Sequence, residues 1–400
     1  MSNPRSLDES VDAVIDSALE AGTIVGTVVL VTEDGSPRYA RAAGFADREA
    51  GKPTGLDTIF RLASLTKSLV SVTALRLIEQ GRLGLDDLVT TYLPHFRPRL
   101  EDGREAGITV RHLLTHTSGF GYAETPSDPR GEDNAAPVER YWAARVSTGL
   151  DQPGLSLEEN LRRIASVPLY FTPGTSWRYG VSTDVLGAVL TTVLGGSLAD
   201  AVAEFVTEPL GLVDTAFTVR DRDRLAVPYA DGSPRAERMR DPHTVIDLTF
   251  SPARALDDRS FQSGGGGMVG TAGDFMTFLE TIRTGGAPIL GGEILATATT
   301  NHVGLLRGDD DPGWAFGLMS GVLVDPQEGS TPQSVGTLAW GGVWGHQWFI
   351  DREAGLSVAM LTNTAVEGCL GQFPRDVRDA IYAVRASTPS RQPVTRDPTQ

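Results

Sequence analysis

Lysine is nearly missing from this chain of 400 residues: Lys52 and Lys67 stand among 35 basic residues, and all the others are arginine. Arginine keeps its charge, whereas a desolvated lysine beside another cation can give up a proton and act as a base, so each lysine here is informative. Cysteine is scarcer still. Cys369 is the only one, which excludes an intramolecular disulfide and a cysteine-based metal cluster. No run of about 18 uninterrupted apolar residues occurs, and the first ten residues, MSNPRSLDES, hold no apolar signal core. A cytoplasmic protein without a membrane partner is expected. Basic blocks are lacking too, and the formal charge is −16, so no nucleic-acid partner is expected.

Other absences narrow the chemistry. No serine has glycine on both sides at the G-x-S-x-G spacing, so the nucleophile turn of the α/β-hydrolases is missing. The glycine run from Gly264 to Gly267 lacks the following Lys-Ser/Thr of a phosphate loop and reads as close-packed backbone. His112 and His116 stand four apart on a helical stretch, the spacing of a zinc pair, but Leu113 holds the place where a zincin carries its glutamate. No metal site is expected.

What is present is a serine three residues before the second lysine, in Phe60-Arg-Leu-Ala-Ser-Leu-Thr-Lys67. Serine is common, and S-x-x-K alone is a weak signal. Its context is stronger, because Leu69, Val72, Thr73, Leu77 and Ile78 recur at helical spacing and Gly81 supplies a stop. Ser64 then opens a helix, with Lys67 one turn along on the same face. Free N–H groups of a first turn favour developing negative charge, so nucleophile, base and part of an oxyanion site come from one turn. A lysine with a reference pKa near 10.4 becomes a base at neutral pH only at a cost of roughly 4 kcal/mol. A buried pocket and a second polar partner are therefore required.

The chain is long enough for one large unit or two closely packed lobes. Leu7, Val11, Val14, Ile15, Ala18 and Leu19 form a helical stripe, followed by a β-rich run from Ile24 to Thr32, a turn at Glu33-Asp34-Gly35-Ser36 and a returning strand from Pro37 to Gly44. Four further β-type runs lie at Gly313 to Val324, Thr337 to Val343, Gln347 to Asp351 and Leu356 to Thr362, and a helix from Arg375 to Ala386 closes the chain. Between these ends the pattern is helical: Asp86 to Leu93, Thr109 to Thr115, Ser156 to Val167 with a Ser156/Glu159 capping box, Thr183 to Leu194, Ser197 to Glu208 and Thr271 to Thr284. Strands from both ends must share one sheet to bury their apolar faces. The expected fold is α/β in the α+β, two-lobed sense. Residues 1–60 and 270–386 form an antiparallel sheet lobe flanked by helices, 61–269 a mainly helical lobe with irregular insertions, and 387–400 a loose polar tail. The cleft between lobes is the natural site.

Two more segments carry chemistry. Tyr179 lies in Thr172-Pro-Gly-Thr-Ser-Trp-Arg-Tyr-Gly-Val-Ser-Thr-Asp184, a loop immediately before a helix. An arbitrary tyrosine packs its ring and donates one hydrogen bond, but a phenol beside a lysine ammonium can share protons with it as a coupled pair. Trp340-Gly-Gly-Val343 lies on a β-run whose glycines let either a ligand or a helix approach the backbone closely.

In this order these segments resemble the serine β-lactamase and penicillin-binding-protein superfamily, class C β-lactamase-like, and most closely the bacterial family VIII carboxylesterases. The matching stretches run from Phe60–Lys67 through His112-Leu-Leu-Thr-His-Thr-Ser-Gly119 and Trp177-Arg-Tyr-Gly180 to Trp340-Gly-Gly-Val-Trp-Gly-His346, and the likeness extends from about Val11 to Arg385. It implies a β-lactamase/transpeptidase-like fold, Ser64 as nucleophile, Lys67 and Tyr179 as the proton-transfer pair, and the Trp340 segment as the strand flanking the substrate. The backbone N–H groups of Ser64 and Val343 would form the oxyanion hole. Trp340, Gly341, Gly342, Tyr122, Trp344 and His346 are the expected substrate-binding residues, and no cofactor is implied. Tyr141, Trp142, Trp314 and Trp348 are further aromatic candidates for an apolar pocket, and the loop from Gly121 to Leu155 is expected to shape it.

Two departures bear on the substrate. The Lys-Thr-Gly of β-lactamases is replaced by Trp340-Gly341-Gly342, with no lysine after Lys67, and their Tyr-x-Asn reads Tyr179-Gly180-Val181. A cation for a β-lactam carboxylate and an amide for an acylamino group are both missing, which favours small uncharged esters. The expected activity is a serine carboxylesterase acting on short-chain esters, acetyl esters among them, through an acyl-enzyme. The alternatives are a β-lactamase or D-amino-acid peptidase, an acyltransferase, and a non-catalytic binding module. Nothing in the sequence bears on oligomeric state.

Overall fold

The computed structural model describes residues 6–122, 140–245, 247–306 and 311–387. Of the tail expected over 387–400, Ser387 ends a helix, while residues 388–400 and much of the loop from Gly121 to Leu155 lie outside the described residues.

An eight-stranded sheet runs in the order Trp314–Phe316, Gly321–Leu323, Leu338–Gly342, His346–Asp351, Leu356–Thr362, Gly26–Glu33, Ser36–Asp47, Lys52–Pro53. Both ends of the chain meet in it, with Val29 opposite Met360 in an antiparallel pair. The pairing buries both faces, because successive side chains of a strand point to opposite sides. Val29, Val31, Val358 and Met360 pack with Val11, Ile15, Val377 and Ile381 from the helices Leu7–Ala21 and Phe373–Ser387. Val28, Ala359 and Leu361 face the other way, toward Leu69, Phe275 and Leu279 of the helices Leu65–Glu79 and Ala272–Arg283. The expected mixed architecture, an antiparallel sheet flanked by helices, is what the chain adopts.

The helix after Ser64 differs from its sequence pattern in one respect that matters for chemistry. An apolar stripe is legible, yet nearly every residue from Leu65 to Leu77 is buried, polar ones included. A helix buried on all sides sits inside the core rather than on its surface, and it carries Lys67 in with it.

Three local expectations are corrected. The helix expected over Asp86 to Leu93 is a single turn, Val89–Tyr92, because the Asp87 carboxylate is held by the Gly84 N–H and the Tyr92 hydroxyl in a preceding turn. Ser197 to Glu208 breaks into Leu198–Val202, a π turn at Ala203–Thr207 and the short turn Glu208–Leu210. Pro209 has no N–H to give the Phe205 carbonyl, so the α pattern cannot run through it. Only half of the Ser156 capping box forms: Ser156 Oγ accepts from the Glu159 N–H, while the Glu159 carboxylate turns to Arg162 and Arg163. No single helix among the described residues is long and apolar enough to cross a membrane.

Candidate active site

The site begins with a pinned turn. Strand Phe60–Arg61 pairs with Val269–Gly270, and the Leu62 N–H reaches the Met268 carbonyl at 2.9 Å. Ala63 then takes a left-handed conformation, φ 47°, which costs a residue with a Cβ on the order of 1–2 kcal/mol and survives only where its surroundings enforce it. Ser64 follows at the N-cap of Leu65–Glu79 but makes no capping hydrogen bond with its side chain. A serine here normally caps. Its hydroxyl is instead directed to Lys67 Nζ, 3.2 Å away.

Lys67 is 3 % exposed and its three donors have three oxygens. Nζ lies 3.2 Å from Ser64 Oγ, 2.9 Å from the Tyr122 hydroxyl and 2.6 Å from the Gly265 carbonyl. Each donor of this buried amine thus has a partner, as a polar group out of water requires. The glycine run is close-packed backbone, since a Cβ on Gly264 would fall 2.4 Å from the Thr183 carbonyl and one on Gly265 2.6 Å from Asp184 Oδ2. Its further role, presenting a carbonyl to the lysine, has no side-chain signature in the sequence.

Two loops bring in the phenols. A Cβ on Gly180 would meet Gly121 Cα at 2.6 Å, so only glycine lets these backbones touch, and the Val181 N–H reaches the Gly121 carbonyl. The neighbours Tyr122 and Tyr179 are thereby set edge to face, with centroids 5.4 Å apart. Lys67 Nζ sits 4.6 Å from the Tyr179 ring centroid, but the phenol hydrogen-bonded to it is Tyr122. The Tyr179 hydroxyl accepts from Trp340 Nε1 at 3.2 Å.

His112 and His116 do not share a helix face. The helix Val110–Leu114 ends before His116, which lies at φ 56°. His112 completes a cap, its Nδ1 accepting from the Thr109 N–H, and His116 packs its ring 4.8 Å from that of Tyr179 and edge-on to Phe316. Burial first, and the Lys67 charge second, hold His116 well below the usual imidazole range.

On the opposite side, strand Leu338–Gly342 abuts the serine turn: a Cβ on Gly342 would lie 2.6 Å from the Leu62 carbonyl, and one on Gly341 2.7 Å from Cys369 Sγ. The Cβ side of both glycines is thus filled by protein. Trp340 packs on Tyr179 and Phe316. Helix-start hydrogen bonds are donated by the N–H groups of Leu65, Thr66 and Lys67, with that of Ser64 not among them. Val343 gives its carbonyl to the Val366 N–H.

Trp344 and His346, expected to touch substrate, are placed in the interior. Trp344 packs edge-on against Phe250 and under the Arg61 guanidinium, and His346 is fully buried with Nε2 2.7 Å from the Arg61 carbonyl. Tyr141 and Trp348 are also core, whereas Trp142 is exposed. Trp314 lies on the first strand of the sheet.

Burial lowers the His346 pKa from 6.5 to about 4. An unfolded chain takes up this proton near its ordinary value, so the stabilisation from a neutral His346 is complete above about pH 6.5 and is lost as pH falls toward 4, roughly 3 kcal/mol in all. His346→Gln is expected to shrink the drop in unfolding free energy between about pH 7 and about pH 5, measured with urea. A drop as large as in the unmodified protein would count against this assignment.

The sequence profile of the β-lactamase family matches residues 11–379. The chain belongs to the β-lactamase family. Within that family it is 46% identical over 386 residues to esterase EstB of Burkholderia gladioli, covering 94% of this chain and 96% of that protein. The solved structure of EstCE1, described as a hydrolase with promiscuous acyltransferase activity, superposes with a TM-score of 0.88 at 42% identity, over 94% of this chain and 98% of the other. Lovastatin esterase of Penicillium rubens is 26% identical over 80% of this chain and 83% of its own. The resemblance to family VIII carboxylesterases drawn from the sequence agrees with these findings.

Proposed function

We propose that Ser64, Lys67 and Tyr179 make this β-lactamase-family protein a cytoplasmic serine carboxylesterase for short-chain, uncharged esters. The chain is a carboxylic ester hydrolase, and its substrates are small-molecule esters. One observation carries the assignment of residues: a buried lysine amine 3.2 Å from the hydroxyl of a serine that does not cap its helix. Tyr179 with Lys67 removes the Ser64 proton as Oγ bonds to the ester carbonyl carbon. The oxyanion is met by the N–H groups of Ser64 and Val343, each worth about 2.7–4 kcal/mol in such a site. Collapse breaks the bond to the alkoxy oxygen, which leaves as alcohol with the proton taken from serine. Water then adds to the acyl-Ser64 ester, gives a proton to the same base, and releases the acid while Oγ is reprotonated.

The preference for uncharged esters is supported by what surrounds the site. Trp340, Tyr179, Phe316 and Trp177 form one aromatic cluster, no lysine follows Lys67 in the chain, and Lys52 lies on the edge strand of the sheet. The test is intact-protein mass spectrometry after rapid quenching with p-nitrophenyl acetate, butyrate and laurate, alongside turnover of each. A transient acetyl or butyryl adduct on the peptide containing Ser64, with laurate slowest, is expected. Turnover with the adduct on another residue, or laurate fastest, would overturn the reading.

A further inference from the structure

We propose that Asp184 is a positioning residue for Lys67, acting through Gly265 and so governing proton transfer at Ser64. The inference rests on the reading of Ser64 and Lys67 above. Asp184 lies in the first turn of the helix Ser182–Leu194, directly after the Tyr179 loop, and is buried. Its Oδ1 accepts from Ser263 Oγ at 2.6 Å and from the Gly265 N–H at 3.2 Å. The carbonyl of the same glycine accepts from Lys67 Nζ at 2.6 Å. A single residue thus links a buried carboxylate to the buried amine.

A purely structural tie would not need a carboxylate here. Oδ2 is buried and has no hydrogen-bond partner among the described residues, an arrangement that is costly for a charged group, and a neutral amide could accept the same two bonds through its oxygen. What the carboxylate adds is charge close to the amine. Burial pushes its pKa up, while Ser263 and the Lys67 charge oppose that shift. Lys67 is faced by Ser64, Tyr122 and Tyr179, with neutral His116 behind Tyr179. The other charge acting on Asp184 is that of Arg254, which is held by the carbonyls of Asp151 and Phe261. Gly265 is the only direct bridge seen between the two charged side chains among the described residues. Fixing its N–H fixes the direction of its carbonyl, and the carbonyl keeps Nζ turned toward Ser64.

The test is Asp184→Asn in the full chain, with p-nitrophenyl acetate as substrate, a pH profile, active sites counted by fluorophosphonate labelling, and thermal unfolding as a check on folding. kcat/KM per labelled site is expected to fall about ten- to hundred-fold, as for a displaced catalytic group, through kcat rather than KM. The acidic limb of the profile should move to lower pH, because a carboxylate favours the protonated form of a nearby amine or phenol. Ser263→Ala, which keeps the charge, should leave that limb in place. Folded, fully labelled Asp184→Asn with an unmoved limb and unchanged kcat/KM would overturn the proposal and leave Ser64 standing, whereas an unmodified protein that neither turns over ester nor takes the label fails the functional reading itself. Should Asp184→Asn not fold, Gly265→Ala tests the positioning alone, since its methyl displaces Oδ2 and keeps the charge. Unchanged kcat/KM per labelled site there overturns the proposal equally.

Discussion

Ser64→Ala is expected to lower turnover of p-nitrophenyl acetate by about 10⁴-fold or more, the scale of loss when a nucleophile is removed from an intact catalytic set. The variant is a clean probe for a structural reason. Ser64 occupies an N-cap position without using its side chain to cap, so the alanine forfeits none of the roughly 1 kcal/mol that capping serines normally contribute. Among the described residues its hydroxyl has one hydrogen bond, accepted from Lys67 Nζ, which keeps the Tyr122 hydroxyl and the Gly265 carbonyl as partners. A midpoint of thermal unfolding close to that of the unmodified protein should therefore accompany the loss of activity, and no acyl adduct should form at position 64. Turnover undiminished in the variant would refute the nucleophile assignment, whatever the fold.

Ser64 and Lys67 were legible in the sequence because one helical turn fixes their relation, and the sheet was legible because Val28 to Val31 and Val358 to Leu361 can bury both faces only together. The missing parts share a physical reason. The Gly265 carbonyl is a backbone group, and any residue type has one. Asp184 looks like an ordinary acidic residue in a first helical turn, and only the folded backbone places it against Gly265. Trp344 and His346 depart from expectation in the opposite direction: both carry chemistry in their side chains, but the Arg61 strand and Phe250 enclose them. His112 and His116 have the spacing of a metal pair along the chain, and the end of the helix at Leu114 separates them.

The two phenols give the second large effect, and separate roles are expected for them. The Tyr122 hydroxyl accepts from Lys67 Nζ at 2.9 Å, one of three contacts that hold the amine, so Tyr122→Phe removes one contact and leaves two. Loss of such a hydrogen bond to a charged group costs about 1.5–3 kcal/mol. Tyr179 is engaged differently: the Trp340 indole donates to its oxygen, His116 and Trp177 lie against its ring, and Lys67 Nζ stands 4.6 Å from the ring centre. An oxygen that already accepts an N–H bond has its own O–H free to relay a proton, and the packed ring fixes where that oxygen sits. Tyr179→Phe is therefore expected to lower kcat/KM by about 10²–10⁴-fold, the usual share of general acid–base catalysis. The substitution should act on kcat and flatten the pH profile, while Tyr122→Phe keeps a limb on the acidic side. Trp340→Phe, which removes only the indole donor, should fall between the two. If Tyr122→Phe proves the more damaging of the pair and abolishes the pH dependence, the proton passes through Tyr122 and Tyr179 is confined to packing against the amine.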